Sequence, residues 1–214
     1  MFINKTNNHK FHGKFILYNI LFEYILYLPA ISINNVNNYG KHTDEIISYF
    51  GDRIINGKKC LNIDSNYIKT WMSSTSAYLK IFRTDHPEDI ASCTLQLHNP
   101  CMINPTERDI QVYIYDLCRV NASNTKKKYR SPVYALFYFI ENLAYQNLGK
   151  KQIYLMVDTA NLLSKNKLIE IYTKYGFNDV GTECIDIKDR LVMSKKITKY
   201  VTFNTSVTLL YLLT

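Results

Sequence analysis

The chain has 214 residues, of which 47% are apolar, and its formal net charge is +8. This length favours one domain with a sizeable core, and the apolar content excludes a disordered chain. A basic chain suits an anionic partner, although an excess of Asn, Ile, Lys and Tyr also indicates AT-rich coding as a source of part of the charge.

The five cysteines are odd in number, and no two of them lie two positions apart. Neither a disulfide framework nor a zinc knuckle is therefore expected, and no metal site is predicted. This cysteine pattern favours a reducing compartment, so the predicted location is cytoplasmic.

The apolar segment 15–31 is long enough to resemble a membrane span. Glu23 lies at its centre, where an acidic residue costs about 3 kcal/mol on insertion, and about six Leu, Ile or Phe residues are needed to offset that cost. Asn19 and Pro29 weaken the case for a span further. The segment is predicted to be a buried strand or helix, and it lacks the cleavage pattern of a signal peptide.

Short helices are predicted near residues 43–50 and 64–72. The pattern sharpens afterwards, because β-branched and aromatic residues are concentrated in short runs separated by turn-prone residues. Strands are predicted at 78–83, 90–97 and 110–120. Short connections between them, such as the turn 84–88, indicate an antiparallel meander.

A helix is predicted after the polar loop 121–130. Ser131 can cap it, Pro132 suits the first helical position, and Gly149 is placed to end it. A buried strand at 153–157 and a helix closed by Gly176 follow, with strands near 177–186 and 191–197.

The resulting order, β-β-β-α-β-α-β-β, predicts an α/β (α+β) protein. Its central sheet should be mixed, mostly antiparallel and flanked by helices. We expect a single domain over residues 1–200. Residues 201–214 would then form a C-terminal extension or an edge strand.

Three stretches resemble the Gcn5-related N-acetyltransferase (GNAT) superfamily over about residues 78–197. The strand ending in D-L-C-R-V (116–120) leads into a basic loop and a helix N-terminus. The stretch I-Y-L-M-V-D-T-A-N (153–161) is similar to the family's strand-then-Asn pattern, and Y-T-K-Y-G-F (172–177) matches its Tyr-x-x-x-Gly-Phe ending. The resemblance implies the acyl-CoA N-acyltransferase fold, acetyl-CoA as the cofactor, and an amine on a small molecule or a protein as the acceptor.

The family's pyrophosphate loop reads Arg/Gln-x-x-Gly-x-Gly/Ala, and the nearest match here is R-S-P-V-Y-A (130–135). Val133 stands where the first glycine lets backbone N–H groups approach the pyrophosphate at a helix N-terminus. We expect Val133 to narrow that approach, and Pro132 has no N–H. The basic run 126–128 with Arg130 either compensates by charge or forms a solvated loop.

Acetyl transfer needs a neutral amine, a donor to the thioester carbonyl and a proton donor near the leaving thiolate. By resemblance, Tyr172 would donate that proton or hold the sulfur, and the alternative is a tyrosine packed in the core. Asp116 is the candidate general base, on the strand face it shares with Val112 and Ile114. A salt bridge is the alternative role for Asp116.

In the family, the strand before the loop splays from its neighbour and offers backbone groups to the cofactor. Cys118 and Val120 would do so here, with the amide of Cys118 or Leu117 near the thioester carbonyl; the Cys118 side chain is predicted to be a small buried residue. Asn161 would contact the cofactor arm, unless Asn166 does. The predicted cofactor-binding residues are Cys118, Val120, Lys128, Arg130, Ser131, Pro132, Val133, Tyr134, Ala135, Asn161 and Tyr172.

The leading hypothesis is an N-acetyltransferase that moves an acetyl group from acetyl-CoA to a primary amine by direct attack. The alternative is a catalytically inactive protein of the same fold that acts as a binding module. A nucleic-acid-binding module is not favoured, because the chain has no Arg-rich stripe and no recognition motif. A membrane partner is not expected either.

Overall fold

The computed structural model describes residues 4–6, 10–27, 54–55, 58–59, 76–96, 111–120, 130–158, 165–180 and 190–198. Its elements are β1 Asn4–Thr6, β2 Lys10–Leu17, β3 Ile20–Tyr27, β4 Ile54–Ile55, β5 Lys58–Lys59, β6 Ser76–Arg83, β7 Ile90–Gln96, β8 Val112–Val120, α1 Pro132–Leu148, β9 Gln152–Asp158, α2 Lys165–Thr173, β10 Asn178–Asp179 and β11 Arg190–Lys196. The helices predicted near 43–50 and 64–72 and the extension 201–214 lie outside these residues. From Ser76 onward the element order is the predicted one.

Nine strands form one sheet in which hydrogen-bonded neighbours follow the order β1-β2-β3-β6-β7-β8-β9-β11-β10, while β4 and β5 form a two-stranded sheet. The pairs β1–β2, β2–β3, β3–β6, β9–β11 and β10–β11 are antiparallel, and β8–β9 is parallel. The predicted fold class, a mixed and mostly antiparallel sheet with flanking helices, is confirmed.

The chain divides into two compact units. The first unit contains β1 to β6, β7 up to Thr94, β8 from Asp116 and α1 up to Leu136. The second unit contains β8 up to Tyr115, α1 from Phe137, β9, α2, β10 and β11.

In the first unit, β2 and β3 form a hairpin where a single buried strand or helix was predicted. The chain reverses at Tyr18 and Asn19, whose φ angles of 52° and 61° are those of a two-residue turn of type I′. Side chains then alternate, with Phe15, Leu17, Phe22, Tyr24 and Leu26 buried. The single-element prediction is wrong because Tyr-Asn replaces the glycine-containing pair that usually marks such a turn in a sequence.

Glu23, whose charge makes a membrane span unfavourable, lies on the outer side of this hairpin. His12 Nε2 and Lys14 Nζ each lie 2.8 Å from one of its carboxylate oxygens. Burial raises the pKa of Glu23, but the hydrogen bonds from Lys14 and His12 outweigh it, so the pKa lies below its usual value. No helix in the described part of the chain is long and apolar enough to cross a membrane.

Helix α1 begins and ends at the predicted residues. Ser131 caps it, because its Oγ accepts a hydrogen bond from the Val133 N–H at 3.2 Å, and Pro132 is the first helical residue. At the other end, Gly149 has a φ of +63° and its N–H donates to the carbonyl of Tyr145 at 3.0 Å.

In the second unit, β9 is buried on both faces, as its unbroken apolar run predicted. Ile153 and Leu155 are fully buried on one face. The other face carries a cluster formed by Tyr113, Tyr115, Met156 and Val192, against which Tyr154 packs. The rings of Tyr113 and Tyr154 stack with their centroids 4.9 Å apart.

Candidate active site

Strand β8 carries the backbone groups that the family resemblance assigns to the cofactor. Its parallel pairing with β9 covers three residue pairs, from Val112–Ile153 to Ile114–Leu155, and β8 then continues from Tyr115 to Val120. Cys118 and Val120 therefore lie in the part of β8 that runs past those pairs. The splayed strand that the resemblance implied stays a prediction.

An ion pair fixes the second half of β8 within the first unit. Arg119 Nε and Nη2 donate to the two carboxylate oxygens of Asp89 at 3.1 and 3.0 Å, and the Asp89 side chain is fully buried. Bidentate pairing fixes the orientation of the Arg119 guanidinium as well as its distance from the Asp89 carboxylate. Asp89 immediately precedes β7, so this pair restrains β8 between Cys118 and Val120.

Cys118 is buried, as predicted, but it is disulfide-bonded. Cys93 is buried and is not part of a disulfide. The expectation of no disulfide is therefore wrong, because an odd count with irregular spacing does not tell which sulfurs meet in space. The argument for a reducing compartment, which rested on that pattern, loses its support.

The predicted pyrophosphate loop lies at the start of α1. Arg130 is exposed and Tyr134 is half-buried. The side chains of Val133 and Ala135 are buried. The loop therefore offers a ligand the Arg130 side chain, part of Tyr134 and backbone groups.

Those backbone groups already have partners in this structure. The Val133 N–H donates to the Ser131 hydroxyl, and the N–H groups of Tyr134 and Ala135 donate to the Ser131 carbonyl at 3.0 and 3.2 Å. Pro132 has no N–H. Rotation of the Ser131 hydroxyl would release the Val133 N–H at the loss of one hydrogen bond, worth about 1 kcal/mol.

The charge at this end of α1 suits a phosphorylated cofactor. Arg130 is exposed, and the first turn of α1 contains no acidic residue that would neutralise the positive end of the helix dipole. The residues at the start of α1 thus fit a pyrophosphate by charge. Movement of the Ser131 hydroxyl frees the Val133 N–H for a ligand, while the N–H groups of Tyr134 and Ala135 still donate to the Ser131 carbonyl.

The structure does not describe the side chains of four predicted site residues. Asp116 and Val120 are described as members of β8, and Lys128 and Asn161 lie outside the described residues. Asn166, the alternative to Asn161, is exposed near the start of α2. Their roles stay predictions.

Tyr172 lies at the C-terminal end of α2, in the second unit. The Phe177 N–H donates to the Tyr172 carbonyl at 3.2 Å, and the Gly176 N–H donates to the Thr173 carbonyl at 2.9 Å. With Gly176 at a φ of +89°, these two bonds form a Schellman motif. The Tyr-x-x-x-Gly-Phe pattern is therefore also a helix-ending signal, because it supplies the glycine and the apolar residue that the motif uses.

The Tyr172 side chain is 9% exposed, and Leu168 is buried on the same face of α2, as predicted. Burial, with a smaller contribution from Tyr175, raises the pKa of Tyr172 to about 12. Its phenol is therefore protonated at neutral pH and can donate a hydrogen bond. Core packing and a donor role are both compatible with this burial.

A buried ion pair supports this helix end from β11, and the sequence analysis did not predict it. Lys195 Nζ pairs with Glu141 of α1, and the side chains of Lys195 and Glu141 are 19% and 11% exposed. On its way the lysine passes Phe177, whose ring centroid lies 5.9 Å from Nζ. A Cβ added to Gly176 would lie 3.3 Å from Lys195 Cε. Gly176 is thus needed both for its backbone angle and for the room it leaves to Lys195.

Replacing Gly176 with Ala is expected to lower the free energy of unfolding by about 2 kcal/mol. The matched control is Gly149→Ala, because Gly149 also has a positive φ but has no atom within 4 Å of an added Cβ. That control should lose about 1 kcal/mol, from the backbone angle alone. Urea unfolding of both variants measures the difference, and equal losses would contradict the role given to Lys195.

Comparison with known proteins identifies the fold. No family model and no curated protein sequence matches the chain. The solved GNAT domain of S. lividans PAT superposes with a TM-score of 0.52 at 9% identity, over 86% of this chain and 96% of that chain. An aminoglycoside 6'-acetyltransferase type Ii has a TM-score of 0.41 at 16% identity, over 82% of this chain and 99% of that one. A spermidine N-acetyltransferase from Vibrio cholerae has a TM-score of 0.43 at 14% identity, over 83% and 96%.

The chain therefore has the fold of the GNAT superfamily, as the resemblance implied. The superposition establishes the fold. Because the identity is only 9%, the reaction must be argued from the residues. Of those residues, 116–120 and 130–135 belong to the first unit and Tyr172 to the second.

Proposed function

We propose that the chain is an acetyl-CoA-dependent N-acetyltransferase that acts on a primary amine by direct attack. The observation that supports this most is the short β8–β9 ladder, after which β8 runs on to Val120. By the family resemblance, the backbone N–H and C=O groups of this part of β8 would pair with the cofactor. Its GNAT fold makes acyl transfer the class of reaction to test first.

When bound, acetyl-CoA supplies an activated acetyl thioester. The backbone N–H of Leu117 or Cys118 would donate to the thioester carbonyl oxygen, where negative charge develops. Asp116 would accept the proton that the attacking amine loses, directly or through a water. Lys128 and Arg130 would bind the phosphates, and Asn161 would contact the cofactor arm.

We assign Tyr172 a hydrogen bond to the departing sulfur. Its pKa of about 12 lies roughly 3.5 units above that of an ordinary thiol, so full proton transfer to a thiolate would be uphill by about 5 kcal/mol. A hydrogen bond from the Tyr172 hydroxyl would stabilise the departing sulfur without that transfer, and the proton of the released thiol would come from solvent. Tyr172 therefore acts as a donor that keeps its own proton.

Calorimetric titration with acetyl-CoA tests the cofactor site. Wild-type protein should bind with a dissociation constant of about 1 to 10 μM. Arg130→Ala should weaken binding about 5- to 10-fold, because it removes a phosphate contact. Lys151→Ala is the matched control, since it removes the same charge from an exposed position in the second unit and should bind like wild type.

A second candidate is a catalytically inactive protein of this fold that binds a partner. The observation in its favour is the start of α1, where Ser131 already accepts the bonds of the Val133, Tyr134 and Ala135 N–H groups. The titration separates the two candidates. Absence of wild-type binding, together with binding created by Val133→Gly, would contradict the first candidate and support the second.

The remaining parts of the proposal are a single catalytic domain over residues 1–200 and a cytoplasmic location. The location requires the Cys118 disulfide to be reduced or transient there, because cytosolic glutathione and thioredoxin keep most thiols reduced.

The acceptor amine can belong to a polyamine, a drug-like molecule, a peptide N-terminus or a lysine side chain. A screen must cover all four classes.

A further inference from the structure

The tip of the β2–β3 hairpin places an exposed tyrosine against the first turn of α1. Tyr18 is 60% exposed, its ring centroid lies 6.1 Å from that of Tyr134, and the two hydroxyl oxygens are 3.4 Å apart. The N–H and Oγ of Thr84 hold the hairpin in place, since both donate to the Leu21 carbonyl at 3.1 Å. All of these residues belong to the first unit.

The backbone at Tyr18 is one that tyrosine rarely adopts. Its φ of 52° lies in the left-handed region, where Asn and Gly are favoured and a bulky side chain is strained. Strained residues that persist are concentrated at binding and catalytic sites. An exposed ring held in this way points to a ligand, because the ring contributes little to the core.

The chemistry around the two rings suits an aromatic anion. Arg130 is exposed four residues before Tyr134, and no acidic residue occupies the first turn of α1. Nucleobases stack on exposed aromatic side chains, and a guanidinium pairs with phosphate oxygens. A base that carries phosphate groups satisfies both features at once.

We propose that the exposed ring of Tyr18, which packs at 42° against the ring of Tyr134, is a stacking platform for the adenine of acetyl-CoA, with Arg130 pairing with a phosphate of the same nucleotide. The identity of the nucleotide rests on the proposed function. The platform adds a recognition element from the N-terminal hairpin, which lies outside the resemblance over about residues 78–197. It also separates recognition of the nucleotide end of the cofactor from recognition of its thioester end.

Tyr18→Asn tests the platform, because asparagine suits the left-handed backbone and removes the ring. The variant should be as stable as wild type or melt about 2 to 4 °C higher. Its affinity for acetyl-CoA and for adenosine 3′,5′-bisphosphate should nevertheless fall about 5- to 150-fold, the range for loss of one base stack. Its affinity for S-acetyl-4′-phosphopantetheine, which has no nucleotide, should equal that of wild type.

Two variants serve as controls. Tyr18→Phe keeps the ring and should bind all three ligands like wild type. Ile16→Ala shortens an equally exposed side chain of the same hairpin and should also bind like wild type. Loss of affinity in Ile16→Ala equal to that in Tyr18→Asn would overturn the platform, because a general disturbance of the hairpin would then explain both.

The outcomes distinguish the platform from the proposed function. Wild-type affinity for acetyl-CoA in Tyr18→Asn would overturn the platform and leave the proposed function standing. If wild type binds the bisphosphate through Tyr18 but does not bind acetyl-CoA, the platform stands and the proposed function fails. Tighter Tyr18-dependent binding of a single-stranded oligoadenylate than of the bisphosphate would overturn the assignment to acetyl-CoA in favour of a nucleic acid.

Discussion

Tyr172→Phe is expected to lower kcat about 100-fold while leaving the affinity for acetyl-CoA unchanged. Loss of one hydrogen-bond donor to a developing negative charge costs about 10²- to 10³-fold, and we expect the lower end because Tyr172 is proposed to keep its own proton. The ring, which is buried at the end of α2, is retained in the variant. Steady-state kinetics with the best acceptor amine and a titration with acetyl-CoA measure the two quantities.

The matched control is Tyr175→Phe. Tyr175 lies at the same helix end, and its ring packs edge-on against Phe137 with the centroids 5.2 Å apart. Removing its hydroxyl preserves that packing and should leave kcat within about 2-fold of wild type. A Tyr172→Phe variant as active as the Tyr175→Phe control would mean that Tyr172 only packs in the core.

Lys195→Met should lower the free energy of unfolding by about 3 kcal/mol at pH 8, because it leaves the Glu141 carboxylate buried without its partner. Glu141→Leu should cost a similar amount by isolating the lysine. The double variant should lie within about 1 kcal/mol of wild type, since two well-packed apolar residues replace a buried pair. Urea unfolding of the four proteins gives the coupling energy, and additive losses would contradict a direct pair.

The cost of Lys195→Met should also depend on pH. Burial raises the pKa of Glu141 above 4.5, and Lys195 partly opposes that rise. A carboxyl whose pKa is higher in the folded than in the unfolded protein stabilises the folded state fully at pH values below its unfolded pKa. This stabilisation is lost as the pH rises through the folded pKa. Without Lys195 the folded pKa rises further, so the variant should lose little stability at pH 4.5 and the full amount at pH 8. A loss that is equal at both pH values would contradict this account.

The sequence predicted the second half of the fold better than the first. The helix limits at Ser131, Gly149 and Gly176 were predicted correctly, because caps and glycines act through local backbone chemistry. The hairpin at Tyr18 was not predicted. Ile16 and Leu21 are apolar on its exposed side, so the alternation that marks a half-buried strand was hidden.

Contacts between residues far apart in the chain were also not predicted from the sequence. Glu141 and Lys195 are 54 residues apart in the chain, and neither position differs in sequence from an ordinary surface charge. The disulfide at Cys118 likewise depends on which residues meet in the folded chain. The sequence feature connected with the contact between Tyr18 and Tyr134 is a Tyr-Asn pair at the centre of an apolar run. That pair does not by itself predict a turn.

Amine-dependent release of free CoA thiol from acetyl-CoA is the measurement that tests acetyl transfer most directly. Purified protein would be assayed against a polyamine, an aminoglycoside, a free peptide N-terminus and a lysine-containing peptide with a blocked N-terminus. We predict thiol release with at least one of these amines, matched mole for mole by an acetylated product in the mass spectrum and reduced by Tyr172→Phe. Binding of acetyl-CoA without thiol release for any amine class would contradict the enzymatic assignment and leave a binding protein with the GNAT fold.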